Sequence, residues 1–156
     1  MGFRDDLEHE PVSSLQLREA IIVRPTTPVR DAVALMQAKS LGCAVIVEYG
    51  GMPSGIFTEQ SLVKVLMQGA SLDDRPVGDF VDPGFLSLKA SDPISRVWDA
   101  ILEDGLRFIC VTDDDGKLKG ITGQRGIAEY VAEYFPQQIV VQRLGSTPWM
   151  QHREGA

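Results

Sequence analysis

The chain has 156 residues, of which 44% are hydrophobic and 24% charged, and its formal net charge is −7. This composition is typical of a globular protein, and the acidic balance argues against nucleic acid or an anionic membrane as a partner, since both are negatively charged. No apolar run approaches the roughly 20 residues of a membrane-spanning helix, and the acidic start MGFRDDLEHEP does not resemble a signal peptide. Cys43 and Cys110 lie in apolar runs, so we expect buried, reduced thiols in a cytoplasmic protein.

One short pattern occurs twice, as GIFTEQS at 55–61 and as GITGQRG at 120–126, and the two copies start 65 residues apart. The same spacing relates Pro28 to Pro93 and aligns the apolar stretches CAVIV and FICVT. A constant spacing without gaps predicts a duplicated structural unit. The predicted organisation is an N-terminal arm (1–11), repeat 1 (12–67), a linker (68–76), repeat 2 (77–135) and a C-terminal tail (136–156).

Each repeat is predicted to form a β-α-β-β-α unit. A short strand is followed by Thr27-Pro28 or Asp92-Pro93, which we expect to cap a helix with proline in its first position. The elements that follow are a buried strand, a glycine-containing turn, a strand beginning at the repeated glycine and a second helix. Three strands cannot bury a sheet face alone, so we expect an α/β (α+β) fold in which the two repeats pack around a pseudo-two-fold axis.

The sequence gives little support for catalysis or for a metal site. The run Asp113–Asp115 before Gly116 suggests a calcium loop, but Val111 and Thr122 would then take ligand positions that require oxygen-rich side chains. We therefore expect a hairpin turn there. Both histidines lie near the termini, and no nucleophile motif or phosphate-binding glycine loop is present. The chain is predicted not to be an enzyme.

The ordered motifs resemble a tandem pair of cystathionine β-synthase (CBS) domains, also called a Bateman module. The resemblance rests on TPVRDAVALM and CAVIVEYGGMPSGIFTEQSL, and on FICVTDDDGKLKGITGQRGI in repeat 2. It implies a regulatory module with no required cofactor. It also implies that AMP, ADP, ATP, NAD or S-adenosylmethionine binds between the repeats, and that the module forms a homodimer and signals to an unknown partner protein.

The predicted ligand-binding residues are Gly55, Ile56, Thr58, Ser61, Arg24, Lys89, Gly120, Thr122 and Arg125. The resemblance places Arg24 and Lys89 beside the cleft, and Arg125 lies beside a helix start. All three could instead be solvated surface residues. In the family the repeated pattern ends in an aspartate that holds ribose hydroxyls, whereas this chain has Ser61 and Gly126 there. Thr58 offers a hydroxyl at a helix start, where it can cap the helix alone or also contact a phosphate. We therefore expect a nucleotide to prefer the cleft that contains Thr58. The missing aspartates leave an alternative, a structural, dimerisation or protein-interaction module that binds no ligand.

Two further features stay open at this stage. Trp98 lies on the first helix of repeat 2 and suits either the core or a dimer interface. In the tail, residues 139–141 could add a strand, and Trp149 could anchor the segment or lie in a disordered one.

Overall fold

The structure of the protein, a computed structural model, describes residues 2–134. The predictions for the tail, including Trp149, lie outside these residues. The elements in chain order are α1 (Phe3–His9), β1 (Ile22–Val23), α2 (Val29–Lys39), β2 (Cys43–Val47), β3 (Pro53–Thr58), α3 (Glu59–Met67), β4 (Ser87–Lys89), α4 (Ile94–Leu102), β5 (Phe108–Thr112), β6 (Leu118–Gly123) and α5 (Gln124–Tyr134). Short 3₁₀ helices occur at Val12–Ser14, Tyr49–Gly51 and Val77–Phe80.

The predicted β-α-β-β-α order is confirmed in both repeats. Each repeat forms a three-stranded sheet, with order β1-β2-β3 in repeat 1 and β4-β5-β6 in repeat 2. The first pair in each sheet is parallel and the second is antiparallel. β2 and β5 are the central strands, and their residues are almost entirely buried, which explains why their sequences are continuous apolar runs.

The turns show one confirmed and one wrong prediction. The Asp113 side chain accepts hydrogen bonds from the amides of Asp115 (2.9 Å) and Lys117 (3.0 Å), which closes the predicted hairpin between β5 and β6. The predicted helix caps Thr27 and Asp92 are wrong, because the prolines that follow them are the N-cap residues. Their side chains instead accept from the backbone N–H three residues earlier and close the turn after β1 or β4.

Each repeat sends a short segment across the sheet of the other. We call residues 16–18 and 81–84 the lead segments of repeats 1 and 2. In the first, Arg18 exchanges two backbone hydrogen bonds with Ile121 of β6 (2.9 and 3.0 Å). In the second, the Asp82 amide donates to the carbonyl of Ile56 in β3 (2.8 Å). This reciprocal exchange relates the two repeats by the expected pseudo-two-fold symmetry.

Two apolar clusters form the core. The larger belongs mostly to repeat 1 but includes Cys110 and Ile121 of repeat 2, so it also joins the repeats. The smaller belongs mostly to repeat 2 and also includes Leu7 of α1 and Val12 and Leu15 of repeat 1. Trp98 packs partly against this second cluster, with its ring 5.6 Å from that of Phe3. Among the described residues, no helix is long and apolar enough to cross a membrane.

Candidate functional site

Two clefts lie at equivalent places in the two repeats, where a β-strand passes into the second helix. The first cleft lies between the start of α3 and the lead segment of repeat 2, and has a volume of about 90 Å³. The second cleft lies between the start of α5 and the lead segment of repeat 1, and has a volume of about 520 Å³. Ligand cavities typically have volumes of about 300–1,000 Å³. The second cleft is therefore large enough for a small-molecule ligand as it stands, and the first is not.

Glycines allow the lead segments to cross the sheets closely. A side chain at Gly55 would overlap Val81, and one at Gly120 would overlap the backbone carbonyl of Arg18. Both belong to the predicted ligand residues, and the structure gives them this packing role under the lead segments. The repeated glycine of the sequence pattern is thus explained by the close approach of the other repeat.

In the first cleft, the two predicted polar ligand residues bond to each other. The Thr58 hydroxyl accepts from the Ser61 amide (3.3 Å), and the Ser61 hydroxyl accepts from the Thr58 amide (3.1 Å). This reciprocal pair caps α3. The Thr58 hydroxyl also donates to the carboxylate of Asp82 at 2.6 Å. Thr58 and Ser61 are 8% and 2% exposed, so the structure leaves them little contact with the open cleft.

The second cleft lacks these side chains because its backbone is more crowded. Gly123 replaces Thr58, and a side chain there would overlap the backbone carbonyl of Arg107. Gly126 replaces Ser61, and a side chain there would overlap the hydroxyl of Thr122. Small residues therefore leave the start of α5 accessible, and backbone N–H groups at a helix start favour an anion.

Thr122 is the unusual polar residue of the second cleft. Its side chain is 5% exposed, and its hydroxyl has no hydrogen-bond partner among residues 2–134. An unpaired buried hydroxyl costs about 1–3 kcal/mol of stability. The hydroxyl faces Gly126 beneath the cleft, and it has as little contact with the open cavity as Thr58 and Ser61 have in the first cleft.

Positive charge is concentrated around the second cleft. Arg18 and Arg107 are exposed, line this cleft, and form no ion pair with any other described residue. The Arg107 guanidinium lies 5.4 Å from the ring centre of Phe108. Arg125 also lines the cleft and pairs with Glu129 at 3.1 Å. Unpaired guanidinium groups recognise phosphate or carboxylate through paired hydrogen bonds.

The repeat equivalents of these arginines in the first cleft carry no charge. At a spacing of 65 residues, Arg18 corresponds to Pro83, Arg107 to Gly42 and Arg125 to Gln60. In the opposite direction, Asp82 of the first cleft corresponds to Leu17 of the second. The two clefts thus share their backbone and differ in their charge.

Apart from Gly55 and Gly120, which pack beneath the lead segments, the predicted site residues fall into three groups. Ile56 and Thr58 line the first cleft, with the capping partner Ser61 buried beside them, and Thr122 and Arg125 line the second cleft. Arg24 and Lys89 line neither cleft, and Arg24 instead reaches the carbonyl of Val47 and the ring of Tyr49.

Sequence reasoning missed Arg18, Arg107 and Asp82. A comparison of positions 65 residues apart could have identified them, because each is charged in one repeat and has an uncharged equivalent in the other.

An apolar groove lies on the helical face of repeat 2. It runs between α4 and α5, has a volume of about 440 Å³, and is lined by Trp98 and Leu102, among others. Leu102 is 64% exposed. On the helical face of repeat 1, Leu66 and Met67 are 59% and 83% exposed. Within residues 2–134, no group of His, Cys, Asp or Glu side chains is placed to hold a metal ion.

Comparison with known proteins identifies both repeats. Residues 12–68 and 77–133 each match the family model described as the CBS domain. The chain is 28% identical over 119 residues to the uncharacterized protein MK0525 of Methanopyrus kandleri, a match that covers 76% of this chain and 61% of that protein. The chain therefore spans less than two thirds of that relative.

Solved structures show the same fold. The CBS domain protein PAE2072 from Pyrobaculum aerophilum, complexed with AMP, superimposes with a TM-score of 0.68 at 18% identity, covering 75% of this chain and 89% of that one. The CBS domain pair of protein MJ0100, in complex with 5′-methylthioadenosine and S-adenosyl-L-methionine, has a TM-score of 0.69 at 16% identity, covering 80% and 98%.

Proposed function

The chain belongs to the CBS domain family, and from this premise we propose that it is a regulatory CBS pair that binds an adenosine-containing, phosphate-bearing ligand in its second cleft. The observation that carries the proposal is the combination of a 520 Å³ cavity with two unpaired arginines, Arg18 and Arg107. The sequence pattern favoured the cleft of Thr58. The size and charge of the two cavities favour the other one.

The adenosine part of the proposal is supported by the ligands of structures with the same fold. PAE2072 was solved with AMP, and the MJ0100 pair with 5′-methylthioadenosine and S-adenosyl-L-methionine. Among the candidates AMP, ADP, ATP, NAD and S-adenosylmethionine, the arginines favour those that carry phosphate. S-Adenosylmethionine carries one carboxylate but also an ammonium and a sulfonium cation. Its net charge is therefore positive, and two uncompensated guanidinium groups favour it less than a phosphate-bearing compound.

The proposed role of binding is regulation of a partner protein. Ligand contacts at the start of α5 would be passed along the helix, because Gln124 lines both the second cleft and the apolar groove. We propose that the exposed apolar faces of both repeats form a homodimer interface, and that the regulated protein contacts the dimer. We also place the protein in the cytoplasm, since two buried free thiols suit a reducing compartment.

The proposal is tested by thermal unfolding with the five candidates, each with and without magnesium. A ligand at a hundred times its dissociation constant stabilises the native state by about 2.7 kcal/mol. We expect the phosphate-bearing compounds to raise Tm and S-adenosylmethionine to have no effect. A flat response to all five at millimolar concentration would support the alternative of a structural or protein-interaction module.

Two substitutions and a matched control test whether the ligand binds in the second cleft. Losing one charge-assisted hydrogen bond costs about 1.5–3 kcal/mol, so Arg18→Gln or Arg107→Gln should each weaken binding roughly ten- to a hundredfold. Arg96→Gln is the matched control, since Arg96 is an exposed arginine on α4 that pairs with Asp92 and lines neither cleft. Equal effects of all three changes would refute a specific site.

A further inference from the structure

We propose that Asp82 excludes phosphate from the first cleft, so that each chain binds one phosphate-bearing ligand instead of two. The inference rests on the proposed function, because it concerns the same class of ligand. Asp82 would then determine the ligand specificity of the first cleft. It lies outside the repeated pattern and belongs to repeat 2, whereas the floor and the helix of this cleft belong to repeat 1.

The Asp82 carboxylate lies where an anion would meet the start of α3. One carboxylate oxygen accepts from the Thr58 hydroxyl at 2.6 Å, and the other accepts from the Gly84 amide at 2.7 Å. The Asp82 amide is held by the carbonyl of Ile56 at 2.8 Å. The side chain is half-buried and is held by the first two bonds, and the third holds the backbone, so the negative charge is fixed beside the helix start.

The carboxylate also uses the hydroxyl that a phosphate would need. The Thr58 hydroxyl has one proton, which it gives to Asp82, and it accepts from the Ser61 amide. A phosphate approaching this hydroxyl would therefore have to displace Asp82, and would meet a like charge at short range. Glu59, in the first turn of α3, adds a second negative charge.

The second cleft has the same backbone arrangement but no carboxylate at the equivalent position. Leu17 lies 65 residues before Asp82 and is uncharged, and Arg18 makes the bond to Ile121 that Asp82 makes to Ile56. Gly123 replaces Thr58, and the cavity is about 520 Å³ instead of about 90 Å³. Arg107 lines both clefts, so it does not distinguish them. The first cleft differs by the negative charge of Asp82, and the second by Arg18 and by the paired Arg125 and Glu129.

The experiment is a titration of the full chain, followed by the backbone amide resonances of each cleft, with ATP and with inorganic pyrophosphate as probes. In the unaltered protein, we expect the Gly126 amide to shift and the Thr58 and Gly84 amides to stay fixed. In Asp82→Asn, the Thr58 and Gly84 amides should shift at millimolar pyrophosphate, with an affinity at least tenfold above that of the unaltered protein. Asp79→Asn is the charge-matched control, since Asp79 is a half-exposed carboxylate that lines neither cleft.

The reverse change tests the same idea in the second cleft. Leu17→Asp should weaken ATP binding there at least tenfold, and Leu17→Asn, which is equally polar but neutral, should weaken it much less. Equal losses for both Leu17 variants would contradict an effect of charge.

The proposal is overturned if Asp82→Asn leaves the Thr58 and Gly84 amides fixed, or if the unaltered protein shifts them at the concentrations that shift Gly126. A Gly126 amide that never responds to ATP would refute the proposed function instead. The pyrophosphate response of Asp82→Asn at the first cleft would still test this inference in that case.

Discussion

Replacing Thr58 by valine should destabilise the fold without weakening ligand binding. Valine keeps the shape of threonine and removes only the hydroxyl. The hydroxyl caps α3 through Ser61 and donates to Asp82 at 2.6 Å. The structure therefore makes Thr58 a stabilising residue. Of the two roles that the sequence allowed, it confirms the helix cap.

The expected magnitude follows from the two interactions that are lost. Removing a helix cap costs about 1 kcal/mol. A hydrogen bond to a charged group contributes about 1.5–3 kcal/mol, and the lower end applies because Asp82 is half-exposed and keeps its bond from Gly84. The total is about 2–3 kcal/mol, which for a chain of this size lowers Tm by roughly 4–12 °C.

The assay is urea unfolding of Thr58→Val beside Thr58→Ser, which keeps the hydroxyl and serves as the control. A double-mutant cycle with Asp82→Asn isolates the hydroxyl–carboxylate bond, and we expect a coupling energy of about 1–2 kcal/mol. The reasoning is refuted if Thr58→Val costs no more than Thr58→Ser, or if it abolishes ATP binding while Arg18→Gln leaves that binding intact.

Two further predictions concern the second repeat and the buried thiols. Gly126→Ala should destabilise the fold by about 1–3 kcal/mol, because its methyl group overlaps the Thr122 hydroxyl, and adding Thr122→Ala should recover most of this in urea unfolding. A double variant as unstable as the single one would contradict that cause. Burial raises the pKa of both Cys43 and Cys110 to about 12 from an ordinary value near 9, so a thiol reagent at pH 8 should modify them only after unfolding. Because the thiols of the unfolded chain lose their protons at lower pH than the buried ones, the free energy of unfolding should decrease as pH rises from about 9 towards 12. Rapid labelling of the native protein at pH 8 would contradict this account.

The fold was predictable because its signals are local in the sequence. The continuous apolar runs of β2 and β5 and the hairpin closed by Asp113 act within one repeat. The repeated glycines are visible in the sequence as a pattern, although their packing partners lie in the other repeat. The error at Thr27 and Asp92 has a local cause too. Thr and Asp side chains can either cap a helix or close a turn. Here Thr27 and Asp92 close the turn after β1 and β4 instead of capping the helix that follows.

The candidate site was less predictable because each cleft combines residues from both repeats. The bond between Thr58 and Asp82 joins positions 24 residues apart, and Arg18 meets β6 from the opposite end of the chain. A motif of seven residues contains no information about such contacts. The crowding that requires Gly123 comes from the Arg107 carbonyl, which lies outside the motif, whereas that at Gly126 comes from Thr122 within it.

The central claim, one phosphate-bearing adenosine ligand per chain in the second cleft, is tested most directly by calorimetric titration of the unaltered protein with ATP. The account predicts a single binding event with one ligand per chain, weakened roughly ten- to a hundredfold by Arg18→Gln. Two equivalent sites per chain, or one site indifferent to Arg18→Gln, would contradict it.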